Sequence, residues 1–234
     1  MIRKFRQNIT WLLIAPLVFL SIVQSINAAE TEAVNAQSPK SQSLSTKSEY
    51  NPHQDNNTQQ QKHYSRSRQD YVIPDIALTN RHGEEIRVMD LLNDEQPVLL
   101  QFVFTTCATI CPVLSATFTS AQTSLKEITP DYRMISISID PEQDTPRTLS
   151  DYAKRFKVGT QWHLLTGSRD KIAKIQHAFD AYYRGNNKMY HLPYTYLRAK
   201  GTQTWVRLDG LLSTGDLIEE YRQIASVSTQ SGIQ

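Results

Sequence analysis

The feature that most constrains the fold is the run at residues 97–104, Pro-Val-Leu-Leu-Gln-Phe-Val-Phe. It is far too short to cross a membrane, and its unbroken apolar character suits a strand covered on both faces. The rest of the chain must then supply helices for two sides of a sheet. It does so in alternation. From Pro112, the residues Leu114, Phe118, Ala121, Leu125 and Ile128 recur every three or four positions, the stripe of an amphipathic helix. Residues 132–139 alternate instead, with Ile135, Ile137 and Ile139 on one side, as a second strand would. Thr145-Pro146 reads as an N-cap and first helical position, followed by the stripe Leu149, Tyr152, Ala153 and Phe156. A short strand at 162–166 leads to Ser168, which caps a helix carrying Ile172, Ile175 and Phe179.

The period then changes. Residues 194–197 and 204–208 flank Lys200-Gly201 as a hairpin, and a last helix starts near Thr214 with Leu217, Ile218, Tyr221 and Ile224. A further hairpin is expected around His82-Gly83. This order predicts an α/β fold: a central mixed sheet flanked by helices on both faces, with an N-terminal hairpin extension.

The sequence ahead of that domain divides in two. Arg3, Lys4 and Arg6 precede a 13-residue apolar stretch at 11–23, and small residues follow at Ser25, Ala28 and Ala29. Residues 1–29 therefore read as a secretory signal peptide or an N-terminal membrane anchor, the apolar run falling within the roughly 7–15 residues of a signal. Of the 41 residues at 30–70, 18 are Ser, Gln or Asn, and only Val34 and Leu44 are aliphatic beyond alanine. Such a stretch cannot offset its ordering entropy by apolar burial, so 30–70 is expected to be a disordered linker and 71–234 the folded domain. His53 and His63 fall in this linker as solvated residues. The formal net charge of +2 resides in the leader: without Arg3, Lys4 and Arg6, 22 bases face 23 acids. A nucleic-acid partner has no electrostatic support.

Only two cysteines occur, Cys107 and Cys111, which excludes a disulfide-stapled mini-domain, a four-cysteine zinc module and a four-cysteine iron–sulfur site. One structural disulfide, one dithiol redox pair or a mixed-ligand metal site remain. The pair lies in Cys107-Ala-Thr-Ile-Cys111-Pro112, between the apolar strand and the next helix, at the carboxyl edge of the sheet where α/β sites form. With Pro112 as the first helical residue, Cys111 sits near the N-cap and both thiols are expected to be acidified by the helix end. Three intervening residues give a wider loop than the two usual in thiol–disulfide exchange. Two soft thiolates joined by an imidazole would suit copper.

The third ligand must come from elsewhere. His82 belongs to a turn, His163 to a short strand and His177 to a helix, each with an ordinary structural role. His191, in Tyr190-His191-Leu192-Pro193 just before a strand, is the strongest candidate. Asp140 could add a weak ligand, whereas Asp144 with Thr145 reads as a helix cap. Met189 is a nearby thioether, more simply a surface or packing residue.

These residues carry a resemblance. Cys107-x-x-x-Cys111-Pro112 after an apolar strand, then Ile137-Ser-Ile-Asp140-Pro-Glu-Gln-Asp144-Thr145, then His191 followed by Tyr196-Leu197 and a glycine turn, resembles the Sco/SenC family over residues 71–224. It departs at Ala108 and Tyr190, where that family often has Pro and Asp. The resemblance implies a thioredoxin-like domain, exported to the periplasm or the extracytoplasmic face and often membrane-tethered. It implies a copper ion, Cu(I) or Cu(II), held by Cys107, Cys111 and His191. Its implied role is a non-enzymatic metallochaperone for the dinuclear copper site of cytochrome c oxidase. The implied partners are the copper-bearing oxidase subunit or another exported copper protein, and a copper donor protein. The alternative is a thiol–disulfide oxidoreductase using a redox-active Cys107–Cys111 disulfide on partner cysteines. Pro193 occupies a place resembling the cis-proline of thioredoxins, or is an ordinary strand-start proline.

Overall fold

The structure is a computed structural model that describes residues 62–230 apart from 94, 130, 184 and 186. In chain order the elements are β1 (Ser65–Asp70), β2 (Ala77–Asn80), β3 (Glu85–Arg87), α1 (Val88–Leu91), β4 (Val98–Val103), α2 (Ile110–Ile128), β5 (Arg133–Ser138), α3 (Pro146–Arg155), β6 (Trp162–Thr166), α4 (Arg169–Ala178), β7 (Tyr194–Arg198), β8 (Thr204–Asp209) and α5 (Thr214–Gln230). The strands make one mixed sheet in the order β1-β8-β7-β4-β5-β6-β2-β3.

All six residues of β4 are buried, as its uninterrupted apolar run requires. It lies parallel to β5 and antiparallel to β7, and β5 runs parallel to β6. Side-chain alternation separates two cores. On one face Leu100, Phe102, Ile135 and Ile137 pack with Ile172, Ile175 and Phe179, the stripe of α4. On the other, Leu99, Met134 and Leu164 pack with Phe118 and Leu125 of α2, Leu149 and Tyr152 of α3, and Leu217 and Tyr221 of α5. One polar row crosses the interior: Gln101 Nε2 and Trp162 Nε1 both donate to Ser136 Oγ at 2.9 Å.

The helix caps fall where the sequence puts them. Thr145 Oγ1 accepts from the Thr148 amide at the start of α3, and Ser168 accepts from the Lys171 amide at the start of α4. The His82-Gly83 hairpin forms with Gly83 at φ 86°, and joins the sheet edge through β2 beside β6.

Two boundaries differ from expectation. The linker predicted through Asp70 ends earlier, because Ser65–Asp70 pairs with β8 along its full length, from Ser65↔Asp209 to Asp70↔Thr204. A polar edge strand buries few side chains, so no hydrophobic alternation announces it. Its anchor is Glu220, fully buried on α5, which accepts hydrogen bonds of 2.8 Å from Lys62 Nζ, Tyr64 OH and Arg66 Nε. Gly210 leaves room for this segment: a Cβ there would lie 2.8 Å from the His63 carbonyl oxygen. Helix α2, in turn, begins at Ile110 rather than Pro112. The proline occupies the third helical position, where an amide has no intrahelical partner to lose. The segment 1–29 expected to be a signal or anchor, the greater part of the expected linker and His53 lie outside the described residues. Among the described residues no helix is long and apolar enough to cross a membrane.

Candidate metal centre

The cysteine loop links the end of β4 to α2. Its first residues are fastened at both sides: Cys107 N–H donates to the Phe104 carbonyl at 3.2 Å, and Thr105 is held by Asp144. Thr109 is the N-cap of α2 but offers no side-chain capping bond. The sulfur of Cys107 substitutes, accepting the Cys111 amide at 3.5 Å and lying 3.6 Å from Thr109 Oγ1.

This arrangement splits the two thiols. Burial alone would raise the Cys107 pKa, but the amides of Cys111 and Thr109, helped by the Cys111 thiol and the Thr109 hydroxyl, bring it below the ordinary thiol value. Cys111 behaves oppositely. It lies inside the first turn of α2, 1% exposed, and burial drives its pKa far up, with the Cys107 sulfur adding to the rise. The expectation that the helix end acidifies both thiols is therefore corrected. Only the sulfur aimed at the free amides gains from them. Both cysteines are free thiols here.

His191 comes to the pair from 80 residues away, its Nε2 3.7 Å from Cys111 Sγ. It is buried and follows a 3-10 turn at Lys188–Tyr190, its ring edge-on to Phe104 at a centroid distance of 5.4 Å. Nδ1 lies 3.2 Å from the Lys188 carbonyl oxygen. A carbonyl can only accept, so Nδ1 carries the proton and the Nε2 lone pair faces the sulfur. Burial also lowers the imidazole pKa, against a smaller opposing effect of the Lys188 carbonyl, which favours the neutral ring a metal requires. Lys188 is itself fixed, its ammonium ion-paired with Asp140 and 5.2 Å above the Phe104 ring.

Cys111 and His191 thus already face each other, while Cys107 is turned onto the amides of α2. Among the described residues no three His, Cys, Asp or Glu side chains stand as a ready ligand cluster. The other histidines are elsewhere. His82 is exposed in its turn, accepting from Arg81 Nε, and His163 is half-buried on β6. His177 is exposed and stacks on Tyr182 at 4.1 Å, and His63 is exposed before β1. Met189 is half exposed on the His191 turn. Pro193 follows a trans bond, no cis peptide occurring among the described residues. Beside the turn a cleft of about 610 Å³ is lined by Asp140, Glu142, Arg169, Tyr182, Lys188 and Met189.

Asp144 is not a helix cap. It is fully buried and accepts from the Thr105 amide at 3.1 Å, the Thr105 hydroxyl at 2.5 Å and the Ser138 hydroxyl at 2.6 Å. Thr145, one residue on, caps α3. Sequence reasoning missed this contact, as it missed Lys188 and Phe104. The one available signal was two aspartates in a five-residue turn directly after a strand neighbouring β4.

A thiol at a helix amino terminus, a second thiol behind it and an imidazole from the turn before a β-hairpin thus stand at one edge of a mixed sheet layered by helices, a thioredoxin-like domain. The sequence profile of the SCO1/SenC family matches residues 65–226, and the chain belongs to that family. It is 35% identical over 98 residues to the SCO1 protein homolog of Bacillus subtilis (strain 168), covering 42% of this chain and 50% of that one. It is 34% identical over 113 residues to the mitochondrial SCO1 homolog of Homo sapiens, covering 46% and 35% respectively. The matches therefore span half or less of these curated relatives.

Solved structures bear out the fold. A SCO1/SenC family lipoprotein from Bacillus anthracis superposes with a TM-score of 0.59 at 25% identity, over 68% of this chain and 97% of that one. BsSco, a Sco family member described as a cytochrome c oxidase assembly protein with a disulfide switch, gives 0.57 at 27% identity over 67% and 95%. Copper-bound ScoI of Arabidopsis thaliana gives 0.52 at 26% identity over 63% and 96%.

Proposed function

We propose that this protein is an exported copper-binding assembly factor that takes up one copper ion through Cys107, Cys111 and His191. It passes that ion to the dinuclear copper site of cytochrome c oxidase. The observation that carries this reading is the 3.7 Å approach of His191 Nε2 to Cys111 Sγ, with the imidazole proton held on the far nitrogen. Two thiolates and a neutral imidazole are a soft donor set suited to Cu(I), with enough nitrogen character to hold Cu(II). Cys107 completes the set by leaving the amides of α2, a short movement because its loop lies at the same helix end. The copper-bound structure of the Arabidopsis relative and the assembly role described for BsSco support the same reading. The basic, apolar leader at 1–29 and the polar segment after it would place the domain outside the cytoplasm on a tether. The lipoprotein relative from Bacillus anthracis agrees with that placement.

Copper titration of the full-length protein tests this. One copper per chain, lost in Cys107→Ser and Cys111→Ser and weakened in His191→Ala, is the expected result. Undiminished binding in all three variants would sink the proposal.

A second reading rests on the split thiol pair: a thiol–disulfide oxidoreductase acting on partner cysteines. Cys107, the more acidic thiol, would attack a partner disulfide, and Cys111 would resolve the mixed disulfide from behind. Trapping of a partner by Cys111→Ser, and not by Cys107→Ser, would support it. The two roles are compatible, because the cysteines of a copper acceptor must be reduced before they take metal.

A further inference from the structure

Among the described residues no cation forms an ion pair with the buried carboxylate of Asp144, and it caps no helix. A carboxylate taken out of water without a counter-charge is costly, and burial raises its pKa accordingly, even though the Ser138 and Thr105 bonds pull the other way. Its surroundings explain the residue type. Three donors converge on its two oxygens: Thr105 N–H, Thr105 Oγ1–H and Ser138 Oγ–H. A carboxylate is acceptor-only and satisfies all three. An amide of the same size would bring two N–H donors into a site lined by donors.

What this bonding fixes is the cysteine loop. Thr105 lies two residues before Cys107, and its backbone N–H is one of the groups held. The following link, Cys107 N–H to the Phe104 carbonyl, fastens the other side of the same turn. Asp144 also belongs to the turn whose other aspartate, Asp140, is ion-paired with Lys188. Lys188 in turn supplies the carbonyl that holds His191 Nδ1. One short turn after β5 therefore braces the cysteine arm and the histidine arm together.

We infer that Asp144 is a positioning residue: through Thr105 it sets where Cys107 stands relative to Cys111 and His191. This inference rests on the copper reading for its first consequence, the reach of Cys107 toward a bound ion. Its second consequence, the pairing of the two thiols with each other, stands without metal.

The test compares Asp144→Asn and Thr105→Val with Thr105→Ser in the full-length protein. Asn keeps the volume and loses acceptors; Val keeps the Thr105 backbone amide and loses the hydroxyl; Ser restores the hydroxyl. The first readout is Cu(II) titration with the thiolate charge-transfer absorption. The second is the metal-free equilibrium in which oxidised glutathione accepts two electrons and two protons from the dithiol, giving the Cys107–Cys111 disulfide and two reduced glutathiones. Asp144→Asn and Thr105→Val are expected to weaken Cu(II) binding about tenfold or more and to lower the glutathione equilibrium constant in the same direction, with Thr105→Ser close to wild type. Wild-type values of both quantities in a folded Asp144→Asn protein overturn the inference, even if its melting temperature falls. If Asp144→Asn does not fold, Thr105→Val decides alone, since Thr105 is only half-buried. If the wild type binds no copper, the copper reading fails and the glutathione equilibrium still decides for or against Asp144.

Discussion

The sulfur of Cys107 accepts the backbone N–H of Cys111 at 3.5 Å, taking the place of the side-chain cap that Thr109 leaves unmade on α2. The two cysteines are consequently unlike: one is the more acidic, its sulfur accepting at a helix end, the other a thiol sealed between α2 and His191. Each role can be read in solution.

Cys107 should be alkylated first. Its thiolate forms below the ordinary thiol value of 9.0, whereas Cys111 stays protonated well above it and is 1% exposed. Iodoacetamide labelling of the reduced protein, followed by peptide mass spectrometry across a pH series, is expected to place the Cys107 midpoint below pH 9 and to leave Cys111 largely unlabelled until the protein unfolds. Equal labelling rates would contradict the assigned roles.

Copper affinity should rise with pH. Binding through Cys111, as proposed, requires its thiolate, and its pKa is raised, so at neutral pH each ion bound would displace a proton from this residue. The slope amounts to about tenfold in apparent affinity per pH unit for each proton displaced. Competition titrations at pH 6, 7 and 8 measure it; a flat profile would mean that Cys111 is not a ligand.

His191→Ala should distinguish the oxidation states. Two thiolates alone can hold Cu(I), while Cu(II) needs the nitrogen donor. The Cu(II) loss is expected to reach or exceed the roughly 10–100-fold that removal of an outer-shell partner costs, with a smaller loss for Cu(I). Absorption spectra should show altered thiolate-to-Cu(II) bands; undiminished Cu(II) affinity with unchanged bands would exclude the nitrogen as a Cu(II) ligand.

Glu220 should make part of the stability acid-sensitive. Burial raises its pKa, but hydrogen bonds from Lys62, Tyr64 and Arg66 outweigh that and leave it below its ordinary value of 4.5. A carboxyl group depressed on folding stabilises fully above its unfolded pKa and loses that contribution as pH falls through the folded value. Glu220→Ala should cost about 2 kcal/mol at pH 7, toward the lower end for a buried charged partner because Lys62 and Arg66 can return to water. The difference from wild type should shrink as pH falls below the ordinary value of 4.5 in urea or thermal melts. A difference independent of pH would mean that the charge is not what matters.

Much of the fold was legible in local pattern. The apolar run of β4, the alternation of β5 and the stripes of α2, α3 and α4 each name their element and the face it buries, because burial on one or two sides is written into residue order. The caps at Thr145 and Ser168 were legible for the same reason: a hydroxyl and an amide three residues apart meet locally. Strand β1 was not legible, since its ordering comes from the ladder with β8 and from Glu220, more than 150 residues away. In the site, the cysteine pair and His191 were nameable as candidates, and the span matched by the family profile includes them. The opposite pKa directions of the two thiols were not, because they depend on which sulfur faces free amides and which faces the apolar core.

The sequence by itself determined the layered α/β plan and the identity of a thiol pair at a strand–helix junction, because both follow from periodicity and from turn chemistry within a few residues. Only the tertiary structure decided which histidine meets that pair, which nitrogen of its ring carries the proton, and that Asp144 braces the loop instead of capping a helix. These are contacts between segments that meet only when the sheet brings β4, β5 and the turn before β7 to the same edge. Long-range burial and hydrogen bonding, invisible to local pattern, select them.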